Sequence, residues 1–117
     1  MSNIVIYVDE TGAPAELLIQ LQRATGKSLS EIRSALASGT PVFEHTLFES
    51  RYDDHAAVIR NMLTVLEANN AKHRIYEFPE GETIESCTFA DRCLIGIDTM
   101  RNILNQADAE LDRQLGM

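Results

Sequence analysis

Residues 53–78 read DDHAAVIRNMLTVLEANNAKHRIYEF, and the change of rhythm inside this stretch decides the fold. Apolar residues at positions 58, 59, 62, 63, 65 and 66 have the spacing of a helix with a wide buried face. Asp53 or Asp54 is placed to cap that helix, and both suit the positive end of its dipole. Asn69-Asn70 is a left-handed stop. Residues 72–78, KHRIYEF, are then β-branched and aromatic, which predicts a strand.

The same grammar extends towards the N-terminus. Residues 3–9, NIVIYVD, predict a strand. Thr11-Gly12-Ala13-Pro14 turns the chain, and Pro14 fits the first turn of a helix over 14–25 that carries Leu17, Leu18, Leu21 and Ala24. Gly26 ends that helix. Ser28 and Glu31 form a capping box for the next, which runs to about residue 38 before Gly39 and Pro41 stop it. Residues 42–48, VFEHTLF, are rich in strand formers. The predicted order is β-α-α-β-α-β, an α+β fold with a three-stranded sheet covered by helices.

Pro79-Glu80-Gly81-Glu82 marks a change of composition and divides the chain into residues 1–78 and an acidic extension, 79–117. Residues 83–89, TIESCTF, suggest one further short strand. From about residue 90 the pattern is helical, with a long amphipathic stripe through Leu94, Ile97, Met100, Ile103 or Leu104, Ala107, Leu111 and Leu115. A helix this long is expected to overhang a small core. The stripe either packs on its own domain or pairs with a second copy in a homodimer.

The segments RATGKSLSEIR (23–33) and DDHAAVIRNMLTVLEANNAKHRIYE (53–77) resemble the C-terminal domain of the bacterial large-subunit ribosomal stalk protein. Ala24, Thr25, Gly26, Leu29 and Glu31 fit the first family pattern, and Asp53, Asp54, Ala71 and the following strand fit the second. The resemblance covers about residues 3–78. The Clp protease adaptor is similar in shape, although its acidic N-terminal signature for gripping peptide amines is not evident here. Both resemblances imply a scaffold that grips other proteins. The basic residues with which the stalk family holds translational GTPases are largely replaced. Ile19 and Gln22 stand at the first-helix positions, and only Arg33 fills a basic position on the second helix.

The whole chain has 117 residues with 18 acidic and 10 basic side chains, a formal charge of −8. A negative surface repels phosphate, which disfavours nucleic acid and anionic membranes as partners. Residues 79–117 hold 8 of the acids and 3 of the bases, so the excess is concentrated there. The apolar run near the N-terminus is too short for a signal-peptide core, and no segment approaches the ~20 apolar residues of a membrane span. The expectation is a cytoplasmic protein with reduced thiols at Cys87 and Cys93.

Four patterns invite chemistry, and each has a structural reading beside it. Gly26-Lys27-Ser28 is the tail of a phosphate-binding loop, but the motif's first glycine is replaced by Leu21 and a helix precedes the loop. Asp53-Asp54-His55 are adjacent on a helix and point about 100° apart, so they do not converge on a metal. His45 and His73 lie in predicted strands, where cross-strand proximity would bring them together. The gap between Cys87 and Cys93 does not fit a redox motif. The expectation is therefore no enzyme activity, no cofactor and no metal. The sequence points to a protein-binding module, an immunity protein or antitoxin-like inhibitor that docks a basic protein through Glu80, Glu82, Glu85, Asp91 and Asp98. The alternative is an adaptor for translation or protease machinery, using a stalk-like surface at Lys27, Leu29 and Arg33.

Overall fold

The computed structural model describes residues 3–10, 13–46, 52–79 and 90–116. The fold is α+β, as the pattern predicts. Strand β1 (Asn3–Val8) is followed by helices α1 (Ala15–Thr25) and α2 (Leu29–Ser38), strand β2 (Phe43–Thr46), helix α3 (Tyr52–Ala68) and strand β3 (His73–Phe78). The extension adds the single turn α4 (Ala90–Cys93), strand β4 (Leu94–Ile95) and helix α5 (Ile97–Gly116).

The sheet has the order β2-β1-β3-β4, antiparallel throughout. β1 is central, and its continuous apolar run is the mark of a strand buried on both faces. Ile4, Ile6 and Val8 point to the helices, where they meet Leu17, Leu18, Leu21, Ile32, Ile59, Met62, Leu63 and Leu66. Val5 and Tyr7 point the other way and cluster with Tyr76 and Phe78 from β3. Cys93 packs on this second face.

The helix ends follow local chemistry. Gly26 and Gly39 close α1 and α2 in the left-handed region, at φ of 74° and 71°. Asn70 does the same after α3 at φ 49°. The Ala71 amide reaches back to the Leu66 carbonyl and the Asn70 amide to Glu67, which completes a Schellman motif. At the start of α2 the Glu31 amide donates to Ser28 Oγ at 3.1 Å, and the hydroxyl donates to the Glu31 carboxylate.

Several boundaries move. Pro14 is the N-cap of α1 rather than a residue of its first turn; its carbonyl accepts from the Leu18 amide. α3 begins at Tyr52, so Asp53 and Asp54 lie inside its first turn and not at its N-cap. The sheet gains a fourth strand. Leu94 and Ile95 fit a helical stripe by spacing, yet they pair with Tyr76 and Ile75 at the open edge of β3, and α5 starts only after Gly96. The strand suggested at 83–89 lies outside the described residues.

α5 belongs to the same core as the rest. Met100 and Leu104 are fully buried among residues of β1, α1 and α3. Arg101 forms two hydrogen bonds with the Glu67 carboxylate, both at 3.1 Å, and Arg60 meets Asp108 at 2.6 Å. Along α3 the partners run from Glu67 back to Arg60 as those on α5 run from Arg101 on to Asp108, so the helices are antiparallel. The part of α5 from Met100 to Asp108 therefore lies along α3.

Candidate functional site

Of the five acidic positions singled out from the sequence, Glu80, Glu82 and Glu85 lie outside the described residues. Asp91 belongs to α4, and its side chain is outside the description. Asp98 is exposed in the first turn of α5, where its charge complements the helix dipole. It also acts on Arg101, three residues on: the guanidinium is held above its ordinary range, first by its hydrogen bonds to Glu67 and then by the charges of Glu67 and Asp98. Arg101 in turn draws the Glu67 carboxyl below the usual carboxylate range through the hydrogen bond and its charge. One of the few bases of the extension is thus committed to an internal ion pair.

The α2 surface divides. Leu29 is half-buried and packs against the core, so it anchors the helix. Lys27 lines an open polar depression of about 400 Å³ with Ser30, Glu31, Ser34, Ala35, Thr40 and Pro41. Arg33 is exposed and does not line it. Across the α1–α2 hairpin, residues 15–38, the bases Arg23, Lys27 and Arg33 stand against the acids Glu16 and Glu31, a slight positive balance on an acidic chain.

The Gly26-Lys27-Ser28 segment is a helix–helix turn. Gly26 provides the left-handed residue, the Lys27 amide donates to Thr25 Oγ1 at 3.2 Å, and Ser28 caps α2. Helix α1 runs directly into it, which is the wrong context for a phosphate cradle.

The histidines do not meet as the strand reading suggests. His45 pairs with Ile4 on one side of β1, and His73 pairs with Val8 on the other, so β1 separates them. His45 instead stacks on His55 from the first turn of α3, with ring centroids 4.6 Å apart and planes 22° from parallel. Phe43 sets its edge against both rings. His73 Nδ1 lies 2.8 Å from the Ala71 carbonyl. No group of three or more histidines, cysteines or carboxylates fit to hold a metal occurs among the described residues. Cys93 is a half-buried cysteine, not in a disulfide, against the second-face cluster, and Cys87 lies outside the described residues.

Sequence reasoning missed the cluster around Arg74. Its guanidinium donates to both oxygens of Asp9 at 2.7 and 2.9 Å and lies 4.4 Å from the centroid of the Tyr7 ring. The hydrogen bond to Asp9 holds Arg74 above its ordinary range, against the opposing effect of burial. Asp9 and Arg74 are far apart in sequence; only the β1–β3 register aligns them.

Compared with known proteins, the chain matches no family model, no curated protein and no solved structure.

Proposed function

We propose that the chain is a non-catalytic protein-binding module that docks a basic protein through its acidic C-terminal third, in the manner of an immunity protein or antitoxin acting in the cytoplasm. The observation that carries this reading is the segregation of charge. Residues 79–117 hold 8 acids against 3 bases, and Arg101, one of those bases, is tied to Glu67. Arg60 and Arg74 are likewise tied to Asp108 and Asp9. Such a field speeds encounter with a cationic surface and is screened by salt. The test is capture from host lysate at low salt with the wild-type chain and with a variant combining Glu80→Lys, Glu82→Lys, Glu85→Lys and Asp98→Lys. The expected result is one stoichiometric basic protein that the wild type retains and the variant loses. Equal retention by the variant overturns the reading.

A second reading rests on the positive α1–α2 hairpin. Lys27 and Arg33 make no ion pair among the described residues, and the hairpin carries one of the two segments that resemble the stalk domain. In that reading the chain is an adaptor for translation or protease machinery. Arg33→Glu then abolishes capture of those factors while leaving capture by the acidic extension intact.

A further inference from the structure

Between Ala90 and Ile97 the backbone changes state twice. α4 ends at Cys93, Leu94-Ile95 form β4, and after Gly96 the helix resumes as α5. Among the described residues nothing local demands this break. Gly96 has no positive φ, and no described atom lies within 4 Å of the position a Cβ would take. Leu94 is in step with Ile97, Met100 and Leu104, so a helix run through residues 90–116 would keep the apolar stripe on one face. The strand state is held by little. Its two residues pair with Tyr76 and Ile75. Ile95 packs on the core, but Leu94 remains 49% exposed. Just before β4, Cys93 rests on the cluster of Val5, Tyr7, Tyr76 and Phe78. α5 itself is seated from Met100 onward, by burial of Met100 and Leu104 and by the pair between Arg101 and Glu67.

We propose that β4 is a strap that switches between strand and helix. In its open, minor state residues 94–96 leave the edge of β3 and join α4 and α5 into one continuous helix. The Met100 amide already donates to the Gly96 carbonyl at 3.0 Å, so the helix grows backwards from an existing turn and needs no new nucleus. Opening gives up the ladder bonds of a two-residue strand and the packing of Ile95. It gains the hydrogen bonds of three further helical residues. Gly96 holds the strap closed, because glycine is poor inside a helix and good at its N-cap. Met100 and Arg101 stay in place, so only the segment before them moves. Opening frees the outer hydrogen-bonding groups of β3 at Ile75 and Tyr76 and draws Cys93 off the aromatic cluster, so β4 gates a sheet edge. The switch does not depend on the charge of the extension and stands apart from the docking reading.

The test is hydrogen exchange on the full chain, with the Cα chemical shifts of residues 94–96 reporting their backbone state. The β4 amides are expected to exchange through a local opening far more frequent than the one that exposes β1. Gly96→Ala should raise the open population roughly fivefold, by removing the cost of glycine inside a helix. It should also move the Cα shifts of residues 94–96 towards helical values. Leu94→Val works in the other direction. The side chain is half-exposed, and a β-branched residue prefers strand to helix, so the open population should fall about threefold. The β1 amides report the whole fold and serve as the reference in both variants. Exchange of β4 only together with β1 overturns the proposal. So does an opening that neither variant shifts. Cα shifts that move towards coil values in Gly96→Ala also overturn it, because the strap would then fray without joining the helix.

Discussion

Gly26 and Gly39 sit at φ of 74° and 71°, where a Cβ strains the backbone, and nothing lies within 4 Å of the position a Cβ would occupy at either. The effect of substitution is therefore conformational and not steric. Gly39→Ala is expected to destabilise the chain by about 1 kcal/mol in urea unfolding, with the slope unchanged. Gly96→Ala, with equally open surroundings and no positive φ, serves as the comparison and should cost less. Both left-handed glycines were legible because a glycine after a helical run is a stop signal in itself. Arg74 is the opposite case. Its bidentate bond to Asp9 and its place over Tyr7 depend on strand register, which no single residue announces. Arg74→Lys keeps the charge but loses the fork and much of the stacking. It is expected to cost nearly as much stability as Arg74→Ala, about 1 kcal/mol, in a thermal melt.

At the scale of elements, α5 is the informative one. Its amphipathic period was plain, but period alone does not say where a helix starts or what it covers. Leu94 fits the stripe by spacing and was taken by the sheet edge, where it remains 49% exposed; the seam that buries α5 begins to close at Met100. Leu104→Ala is expected to cost about 2–5 kcal/mol, because the site is fully enclosed. The ion pair between Arg101 and Glu67 adds a pH dependence. The Glu67 carboxyl is lowered in the folded chain, so its contribution is present above the ordinary carboxylate range and is lost as pH falls through the lowered folded value. Hydrogen exchange should show α5 amides losing protection in acid before those of β1, and Glu67→Gln should remove the acid dependence that this pair contributes. Equal acid sensitivity in wild type and Glu67→Gln would refute the assignment. The pair is open to solvent, so high salt should weaken it as well.

At the scale of the molecule, the composition change near residue 79 does not separate two cores. β4 extends the sheet, and Met100 and Leu104 share one cluster with Ile4, Ile6 and Leu63. A chain truncated after residue 78 leaves the apolar seat of α5 open to water. The full chain is expected to unfold in a single cooperative thermal step, and the truncated chain to lose that transition. Two separate calorimetric transitions in the full chain would contradict this. Charge is also organised at this scale: acids predominate over the chain as a whole, while the α1–α2 hairpin, residues 15–38, holds three bases and two acids. The counts were open to inspection in the sequence. That Arg60, Arg74 and Arg101 are bound to Asp108, Asp9 and Glu67, leaving Arg23, Lys27 and Arg33 outside such pairs among the described residues, was not.

What the sequence determined by itself was local: the helical period of residues 53–68, the capping box at Ser28, the stops at Gly26, Gly39 and Asn70, and the strand character of 3–8 and 73–78. Each follows from φ/ψ preference and side-chain spacing within a few residues, so neighbours along the chain suffice to specify it. Only the tertiary structure decided that Leu94-Ile95 is a strand, that His45 stacks on His55 and not on His73, that α5 lies antiparallel along α3, and that α1 and α3 leave a groove with Arg23 at its wall. Those outcomes depend on which distant segments compete for the same hydrogen-bonding edge or the same apolar surface, and spacing along the chain does not encode that competition.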